Sequence, residues 1–271
     1  EKLSKYANSI GVKTLTAFFD ENTKKMVDKN FEIVDAMVTS YTFDHIPQIN
    51  EVLKNIYRTL KMNGLLIIEV HDLELIRKRN EFCLFEHEHY TYLNKTTITQ
   101  LLNQNQFKVL TFDLLSKKEK RGNSLLVVAQ KVSNLKLEKI NVKTEISKLV
   151  NLDNEIKSSI KRIDNWLWEN RHLKIAAYGA GGRGVMTIAA LKNSNIFRYI
   201  VDKNPKSSNI YTPKSHLPVY NIEELEKNPV DKILIFSFGY YEEIINELSS
   251  RFSYKPDQCI NILTLLSLKD E

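Results

Sequence analysis

Cysteine is scarce in this sequence, which has two cysteines in 271 residues. Cys83 and Cys259 each lie beside apolar neighbours, a pattern that predicts buried free thiols in a reducing cytoplasm and no disulfide framework. The sequence also lacks Cys-x-x-Cys and His-Glu-x-x-His motifs, so the common signatures of a zinc site are missing. No run approaches the ~18 consecutive apolar residues that span a membrane. We therefore expect a cytoplasmic protein without a membrane partner.

The charge pattern of a nucleic-acid-binding protein is absent as well. The formal net charge is +6, but lysines are spread along the whole chain, without arginine clusters or alternation of basic and aromatic residues. The sequence therefore predicts no nucleic-acid partner. A phosphorylated small molecule would account for the positive charge as well as a nucleic acid would. The length of 271 residues is too great for one small core and predicts two domains.

Glycine is also rare, with eight residues in the chain, and the single glycine-rich loop is at residues 179–184. This loop follows a predicted strand at 174–178, precedes a predicted helix at 185–191, and has the Gly-x-Gly-x-x-Gly pattern of a phosphate-binding turn. Asp202 ends the next predicted strand, close to the spacing at which a dinucleotide-binding domain holds a ribose. The pattern indicates a nucleotide site. An NAD-dependent oxidoreductase is one alternative, and a turn that only packs its helix closely is another.

Two near-continuous apolar runs in the first half predict buried parallel strands at residues 33–40 and 65–70, with an amphipathic helix at 48–60 between them. Ligands bind at the carboxyl ends of such strands. His45 follows the first strand and either lines this crevice or caps a helix. The second strand carries three polar side chains into the same crevice: Glu69, His71 and Asp72.

Residues 85–94 concentrate two histidines, two carboxylates and two phenols in ten residues. An imidazole titrates near neutral pH, and an adjacent carboxylate orients it or raises its basicity, so the cluster suits proton transfer. The His-x-His spacing of His87 and His89 also suits a metal, but a metal site needs a third ligand, and we expect none here. A polar loop without chemistry is the remaining alternative.

These motifs resemble a known family, the sugar-nucleotide C-methyltransferases of deoxysugar biosynthesis. The strand, helix, Lys-Met-Asn-Gly turn and strand of the first half are similar to the later part of a class I S-adenosylmethionine-dependent methyltransferase domain. The family's F-x-x-x-x-H-E-H-x-x-Y and G-x-S-L motifs are matched by Phe82, 87–89, Tyr92 and 122–125. Its C-terminal motif, with YGAGxKG followed by VDxxPxK, is matched from Tyr178 to Lys206, and the similarity covers most of residues 174–245.

The resemblance implies a function and a set of site residues. It implies an S-adenosylmethionine-dependent methyltransferase of a nucleotide-linked keto-deoxysugar, in which His89 is the general base with Glu88 beside it. Tyr92 is then expected to donate to the developing oxyanion, and Tyr41, His45 and Glu69 to contact the cofactor. The residues that we expect to bind the substrate are His87, Asn123, Tyr178, Gly179, Gly181, Arg183, Asp202, Lys206, His216 and Tyr240. A sugar-nucleotide-binding protein without catalysis is a further alternative.

The sequence also departs from the family. Glu86 replaces the tyrosine that usually precedes the His-Glu-His triplet. Where the family usually has HGGSLR, this chain has RGNSLL at residues 121–126, which includes Asn123. The acceptor substrate is therefore expected to differ. The cysteine-rich zinc domain and the first cofactor-binding turn of the relatives are not found before Leu3. We therefore expect an N-terminally incomplete methyltransferase domain, with zinc confined to the missing part.

The expected fold is α/β. It comprises a partial class I methyltransferase (Rossmann-like) domain at residues 1–131, a helical connector at 132–172, and a second Rossmann-like domain at 173–271 that binds the sugar nucleotide. Apolar residues at steps of three and four over 141–170, apart from one gap near Asp153, predict a long amphipathic helix in the connector. This helix either packs across a domain boundary or forms a dimer seam, so the protein is expected to be a monomer or a homodimer.

Overall fold

The computed structural model describes residues 1–31, 33–112, 122–137, 140–203, 205 and 210–266. The chain forms two compact units, which we call unit 1 and unit 2. Unit 1 consists of Glu1–His71, His89–Lys118 and Leu125–Ile140, and unit 2 of Asp72–Glu88, Glu119–Ser124 and Asn141–Glu271. Two segments expected in the N-terminal domain, 72–88 and 119–124, therefore belong to unit 2.

The regular elements alternate between helices and strands along the chain. The helices are α1 (Lys2–Ser9), α2 (Thr23–Asn30), α3 (Ile49–Thr59), α4 (Leu73–Arg79), α5 (Lys95–Gln104), α6 (Val142–Ser147), α7 (Leu152–Glu169), α8 (Gly182–Ala190), α9 (Glu224–Lys227), α10 (Tyr241–Phe252) and α11 (Leu263–Leu266). The strands are β1 (Val34–Ser40), β2 (Leu60–Val70), β3 (Phe107–Phe112), β4 (Leu125–Lys131), β5 (Ile175–Tyr178), β6 (Phe197–Asp202), β7 (Ile210–Tyr211), β8 (Pro218–Asn221), β9 (Lys232–Ile235) and β10 (Cys259–Asn261). None of the helices among the described residues has the length and apolar character needed to cross a membrane.

Unit 1 is built on a sheet with the strand order β1-β2-β4-β3. β1 and β2 are parallel, and β4 is antiparallel to both β2 and β3. On β2 the side chains of Leu66, Ile68 and Val70 are fully buried and alternate with half-buried residues, as expected for a central strand. α3 covers this sheet with Leu53 and Ile56. The strands and the helix predicted for the first half are confirmed.

Unit 2 is built on a sheet with the order β10-β9-β5-β6-β8-β7, in which every pair is parallel except β7 with β8. β5 lies between β6 and β9, so the strand order reverses at β5. In such sheets ligands bind outside the carboxyl ends of the strands at the point of reversal. The second Rossmann-like fold expected from the sequence is confirmed, as is the α/β class of the chain.

Segment 72–88 joins unit 2 through buried polar contacts. Asn80 Nδ2 donates to the carbonyl of Leu266 at 3.1 Å, and the backbone amide of Asp72 donates to Asn123 Oδ1 at 2.7 Å. The short 3-10 turn Phe82–Leu84 also packs against α8. The sequence pattern did not reveal these contacts, because each joins residues distant in the chain.

The long connecting helix predicted over 141–170 is wrong as a single element, because the structure has α6 and α7 with residues 148–151 between them. Asp153 and Glu155 in the first turn of α7 favour a new helix start, since carboxylates stabilise a helix N-terminus. On α7, Ile163 and Leu167 are fully buried in the core of unit 2. These two positions are therefore not available for a dimer seam.

Both cysteines are buried free thiols, as predicted. Burial raises the pKa of Cys83 to about 12 and that of Cys259 to about 11.

Candidate active site

Three histidines and a tyrosine meet in unit 1. The ring of His89 lies 4.7 Å from that of His45, 5.2 Å from that of His71 and 5.7 Å from that of Tyr92, measured between centroids. His45 ends the 3-10 turn Phe43–His45 after β1, and His71 follows β2 directly. Because β1 and β2 are parallel neighbours, their carboxyl ends bring these residues to one edge of the sheet. The structure thus brings together His45, His89 and Tyr92 with His71, which the sequence also placed at the carboxyl end of the second strand.

The loop that carries His89 is held by backbone hydrogen bonds. The amides of Tyr90 and Thr91 donate to the carbonyl of Asp44 at 2.9 and 3.3 Å. Downstream, Leu93 is buried and Asn94 caps α5 by accepting from the Thr97 amide at 2.9 Å. His89 is therefore positioned between two fixed points of the chain, the turn after β1 and the start of α5.

Asp44 is a buried carboxylate in the same cluster, and sequence reasoning missed it. Its side chain is 4% exposed, and its Oδ2 lies 3.1 Å from Nδ1 of His71. Burial alone would raise the pKa of Asp44, but the hydrogen bond to His71 and electrostatic attraction to the His71 and His89 imidazoles lower that pKa below its usual value. A carboxylate that stays ionised beside two imidazoles orients His71 and stabilises positive charge in the cluster. The position of Asp44 directly after a buried phenylalanine at a strand end was its only signal in the sequence.

The residues predicted to contact the cofactor also lie at these strand ends. The Tyr41 amide donates to the carbonyl of Glu69 at 2.8 Å, and Ser40 Oγ donates to Glu69 Oε2 at 2.7 Å. Tyr41 has a φ of 47°, so the chain turns sharply after β1, and its ring lies 4.9 Å from that of His71. An aromatic ring and a carboxylate held by Ser40 therefore both lie at the ends of these two strands.

His87 and Glu88, by contrast, are exposed in the segment that belongs to unit 2. Their assignments to substrate binding and catalysis remain predictions.

The glycine-rich loop in unit 2 follows β5 and begins α8. Gly179 has a φ of 104°, and a Cβ there would overlap Ser237 Oγ. A Cβ on Gly184 would overlap the carbonyl oxygen of Gly179, so this glycine permits the close approach of α8 to the loop. A Cβ on Gly181 would meet nothing within 4 Å. The loop therefore combines two structurally required glycines with one that faces open space.

A cleft of about 460 Å³ lies beside this loop within unit 2. Its lining includes Gly181, Asp202 and Tyr211 together with apolar side chains. Asp202 Oδ2 accepts a hydrogen bond from the Ala180 amide at 2.8 Å, which fixes the loop against the end of β6. The Arg183 guanidinium lies 4.9 Å from the ring centre of Phe238. Lys206, also predicted to bind the substrate, lies outside the described residues.

Two predicted substrate residues are instead buried in unit 2. Tyr178 is 5% exposed and packs in a core cluster, and burial raises its pKa to about 12. Asn123 is fully buried, where its Nδ2 donates to Glu81 Oε2 at 2.8 Å and its Oδ1 accepts from the Asp72 amide. Both side chains therefore contribute to the interior of unit 2, and their assignments to substrate binding remain predictions.

Two further predicted substrate residues are exposed. His216 lies in the left-handed region with a φ of 51°, and the side chain of Tyr240 is half exposed after β9. Both are accessible to a ligand, and their assignments remain predictions.

Comparison with known families gives matches over both parts of the chain. The family described as the C-methyltransferase C-terminal domain matches residues 114–257, just over half of the chain. A second family, described as a methyltransferase domain, matches residues 4–111.

Among individual proteins, C-methyltransferase NovU from Streptomyces niveus is 23% identical over 260 residues, which cover 90% of this chain and 61% of the relative. The chain thus spans less than two thirds of the curated relative that it matches. A SAM-dependent methyltransferase from Thermotoga maritima overlaps with a TM-score of 0.35 and 17% identity, over 49% of this chain and 70% of that one. The 1,6-didemethyltoxoflavin-N1-methyltransferase from Burkholderia thailandensis overlaps with a TM-score of 0.28 and 15% identity, over 36% of this chain and 44% of that one.

Proposed function

Because the chain belongs to the C-methyltransferase C-terminal domain family, we propose that it acts in S-adenosylmethionine-dependent methylation of a carbon atom in a nucleotide-linked keto sugar. The observation that carries the proposal is the position of His89 among His45, His71 and Tyr92 at the carboxyl ends of β1 and β2. The relative's name, C-methyltransferase, supports the reaction type.

His89 is the proposed general base. A keto group makes the proton on the neighbouring carbon acidic, and a neutral imidazole accepts that proton. The backbone anchors at Asp44 and Asn94 hold the imidazole in place, so little orientational freedom is lost on reaction. His89 takes the proton and becomes an imidazolium, whose positive charge the nearby carboxylate of Asp44 stabilises.

Tyr92 is the proposed partner of the oxyanion. When the proton leaves carbon, negative charge develops on the keto oxygen, and a phenol donor placed near that oxygen stabilises it. The edge contact between the rings of Tyr92 and His89 keeps the phenol close to the base. Base and donor then act on adjacent atoms of the same substrate.

The residues at the ends of β1 and β2 fit the cofactor. When bound, S-adenosylmethionine supplies a methyl group on a positively charged sulfur. Tyr41 offers an aromatic face and Glu69 a fixed carboxylate, and both favour a cation. These two residues and His45 would hold the cofactor.

Unit 2 is the proposed binding unit for the nucleotide. The free backbone amides at the start of α8, the open position at Gly181 and the guanidinium of Arg183 suit a diphosphate. Asp202 borders the adjacent cleft, where a ribose hydroxyl can donate to it. Lys206 remains a proposed diphosphate contact on sequence grounds.

Methyl transfer and ligand binding test this function. The chain is incubated with methyl-labelled S-adenosylmethionine and a panel of nucleotide-linked keto sugars, and the label is expected on carbon, where it resists exchange and hydrolysis. Titration calorimetry with S-adenosylhomocysteine and nucleoside diphosphates is run in parallel. Nucleotide affinity without S-adenosylhomocysteine affinity would favour a noncatalytic binding protein, and keto-sugar-dependent oxidation of reduced NAD would favour the oxidoreductase.

A further inference from the structure

The cluster around His89 contains three side chains that can act as metal ligands. Asp44, His71 and His89 each present one ligand atom, and these three atoms lie within 4.8 Å of one another. They come from three different segments of unit 1: the turn after β1, the residue after β2, and the loop before α5. In the sequence, the His87 and His89 pair has no third ligand nearby, so no metal was expected here. The fold supplies two others, Asp44 and His71.

We propose that Asp44, His71 and His89 form a binding site for a divalent first-row transition-metal ion of the zinc class. Two imidazoles and one carboxylate are ligands of intermediate softness, which suit zinc, cobalt and iron, whereas magnesium and calcium prefer oxygen ligands alone. Three protein ligands leave a fourth position open to solvent or to a substrate oxygen.

The unsatisfied oxygen of the buried Asp44 carboxylate independently indicates a cation site. The Oδ1 atom of Asp44 is buried and accepts no hydrogen bond from the described residues. Nε2 of His45 lies 3.8 Å from this atom, which is beyond hydrogen-bond range. A buried carboxylate oxygen without a donor is costly, and a metal ion bound there would remove that cost.

The geometry needs little adjustment to bind an ion. Zinc bonds of about 2.0–2.1 Å in a tetrahedral site place ligand atoms about 3.3 Å apart, so the present limit of 4.8 Å closes by about 1.5 Å at most. In the proposed site the side chains of His71 and His89 supply this adjustment, and Oδ1 is the ligand atom of Asp44.

Occupation of this site would block the proposed proton transfer. A metal ion takes a nitrogen lone pair of His89, and the same lone pair is needed to accept a proton. The metal-loaded and catalytically active forms therefore exclude one another, and we expect zinc to inhibit methyl transfer reversibly. Metal affinity itself requires no methyl donor or sugar, so it is measured independently of the proposed function.

The test is a titration of the chain with Co²⁺, whose visible d–d absorption reports a tetrahedral site, followed by competition with Zn²⁺. Variants Asp44→Asn and His71→Asn are compared with His172→Asn, which changes an exposed histidine outside the cluster. We expect saturable binding at one site, displaced by zinc, that weakens by about 100-fold or more in the two cluster variants and is unchanged in the control. Circular dichroism confirms that each variant is folded.

Three results would overturn the proposal: no d–d band in the wild-type chain, equal affinity in all variants, or a spectrum of octahedral hydrated cobalt. Equal affinity would identify adventitious surface binding. Because S-adenosylhomocysteine calorimetry is run on the same samples, failure of the metal site is distinguishable from failure of the methyltransferase function.

Discussion

The imidazole of His89 packs edge-on against that of His45, with ring centroids 4.7 Å apart and planes inclined by 72°. His45 ends the turn whose Asp44 carbonyl holds the loop of His89. The base proposed for the reaction and the strand end proposed to hold the cofactor are thus linked through one short turn. Substitutions in this turn or its loop are expected to affect chemistry more than folding.

Replacing His89 with asparagine is expected to lower the rate of methyl transfer by about 100-fold or more, since general base catalysis contributes at least that much. The amide keeps polarity and similar size but cannot accept the proton, so nucleotide affinity measured by calorimetry should change little. His172→Asn, at an exposed position outside the cluster, serves as the control. Retained activity in His89→Asn would show that the base lies elsewhere.

The Tyr92→Phe variant removes one hydroxyl from the cluster. If this hydroxyl stabilises the oxyanion, kcat should fall by about 100- to 1,000-fold while KM stays nearly constant. Tyr90→Phe is a matched control, because Tyr90 lies in the same loop with a side chain that is 62% exposed. Unchanged turnover in Tyr92→Phe would leave Tyr92 with a packing role only.

Gly184→Ala and Gly181→Ala separate the structural glycine from the open one. A Cβ on residue 184 would overlap the carbonyl of Gly179, and a Cβ on residue 181 would contact nothing. We expect the free energy of unfolding to fall by about 1–3 kcal/mol in Gly184→Ala and by less than about 0.5 kcal/mol in Gly181→Ala. Urea denaturation measures both. Equal losses would contradict the close approach of α8 to the loop.

Asn123→Ala tests the buried polar network of unit 2. The Asn123 side chain binds Glu81, which is fully buried, and the Asp72 backbone. Its removal deprives a buried carboxylate of a donor, and we expect a loss of about 1–3 kcal/mol in unfolding free energy. The exposed Asn154→Ala is the control. An unaltered stability together with a raised KM for the sugar nucleotide would support the assignment of Asn123 to substrate binding.

The thiol of Cys83 should be inert in the folded protein. Burial raises its pKa from 9.0 to about 12, so the thiol stays protonated at pH 8 in the folded state. Because the pKa is higher in the folded state than in the unfolded state, the free energy of unfolding falls as the pH rises from 9.0 toward about 12. Ellman's reagent should modify both cysteines in denaturant and neither in buffer at pH 8. Rapid modification under native conditions would contradict the burial.

Most of the secondary structure of both sheets could be read from local patterns. The apolar runs that became β1 and β2, and the Gly-x-Gly-x-x-Gly turn between β5 and α8, carry their information in consecutive residues. The connector was predicted as one long helix because the single gap in its apolar spacing, near Asp153, was interpreted as an irregularity within a helix, whereas the chain turns at residues 148–151. Periodicity showed the irregularity but did not distinguish one interrupted helix from two helices.

The candidate site was only partly predictable. His89 and Tyr92 stand out because they occur in a dense cluster of chemically active residues. Tyr178 and Asn123 matched the family pattern just as well, yet their side chains are buried, since a pattern fixes sequence position and not the direction of a side chain. Asp44 was overlooked because a lone aspartate near a strand end is common.

The sequence by itself determined the α/β class, the order of strands and helices, and the family, because all of these follow from local periodicity and from motifs of neighbouring residues. The tertiary structure alone decided which side chains meet. Asp44, His71 and His89 are separated by 27 and 18 residues in the chain, and they converge because parallel strands present their carboxyl ends at one edge of a sheet. Convergence of this kind depends on packing and register, which no local sequence signal encodes.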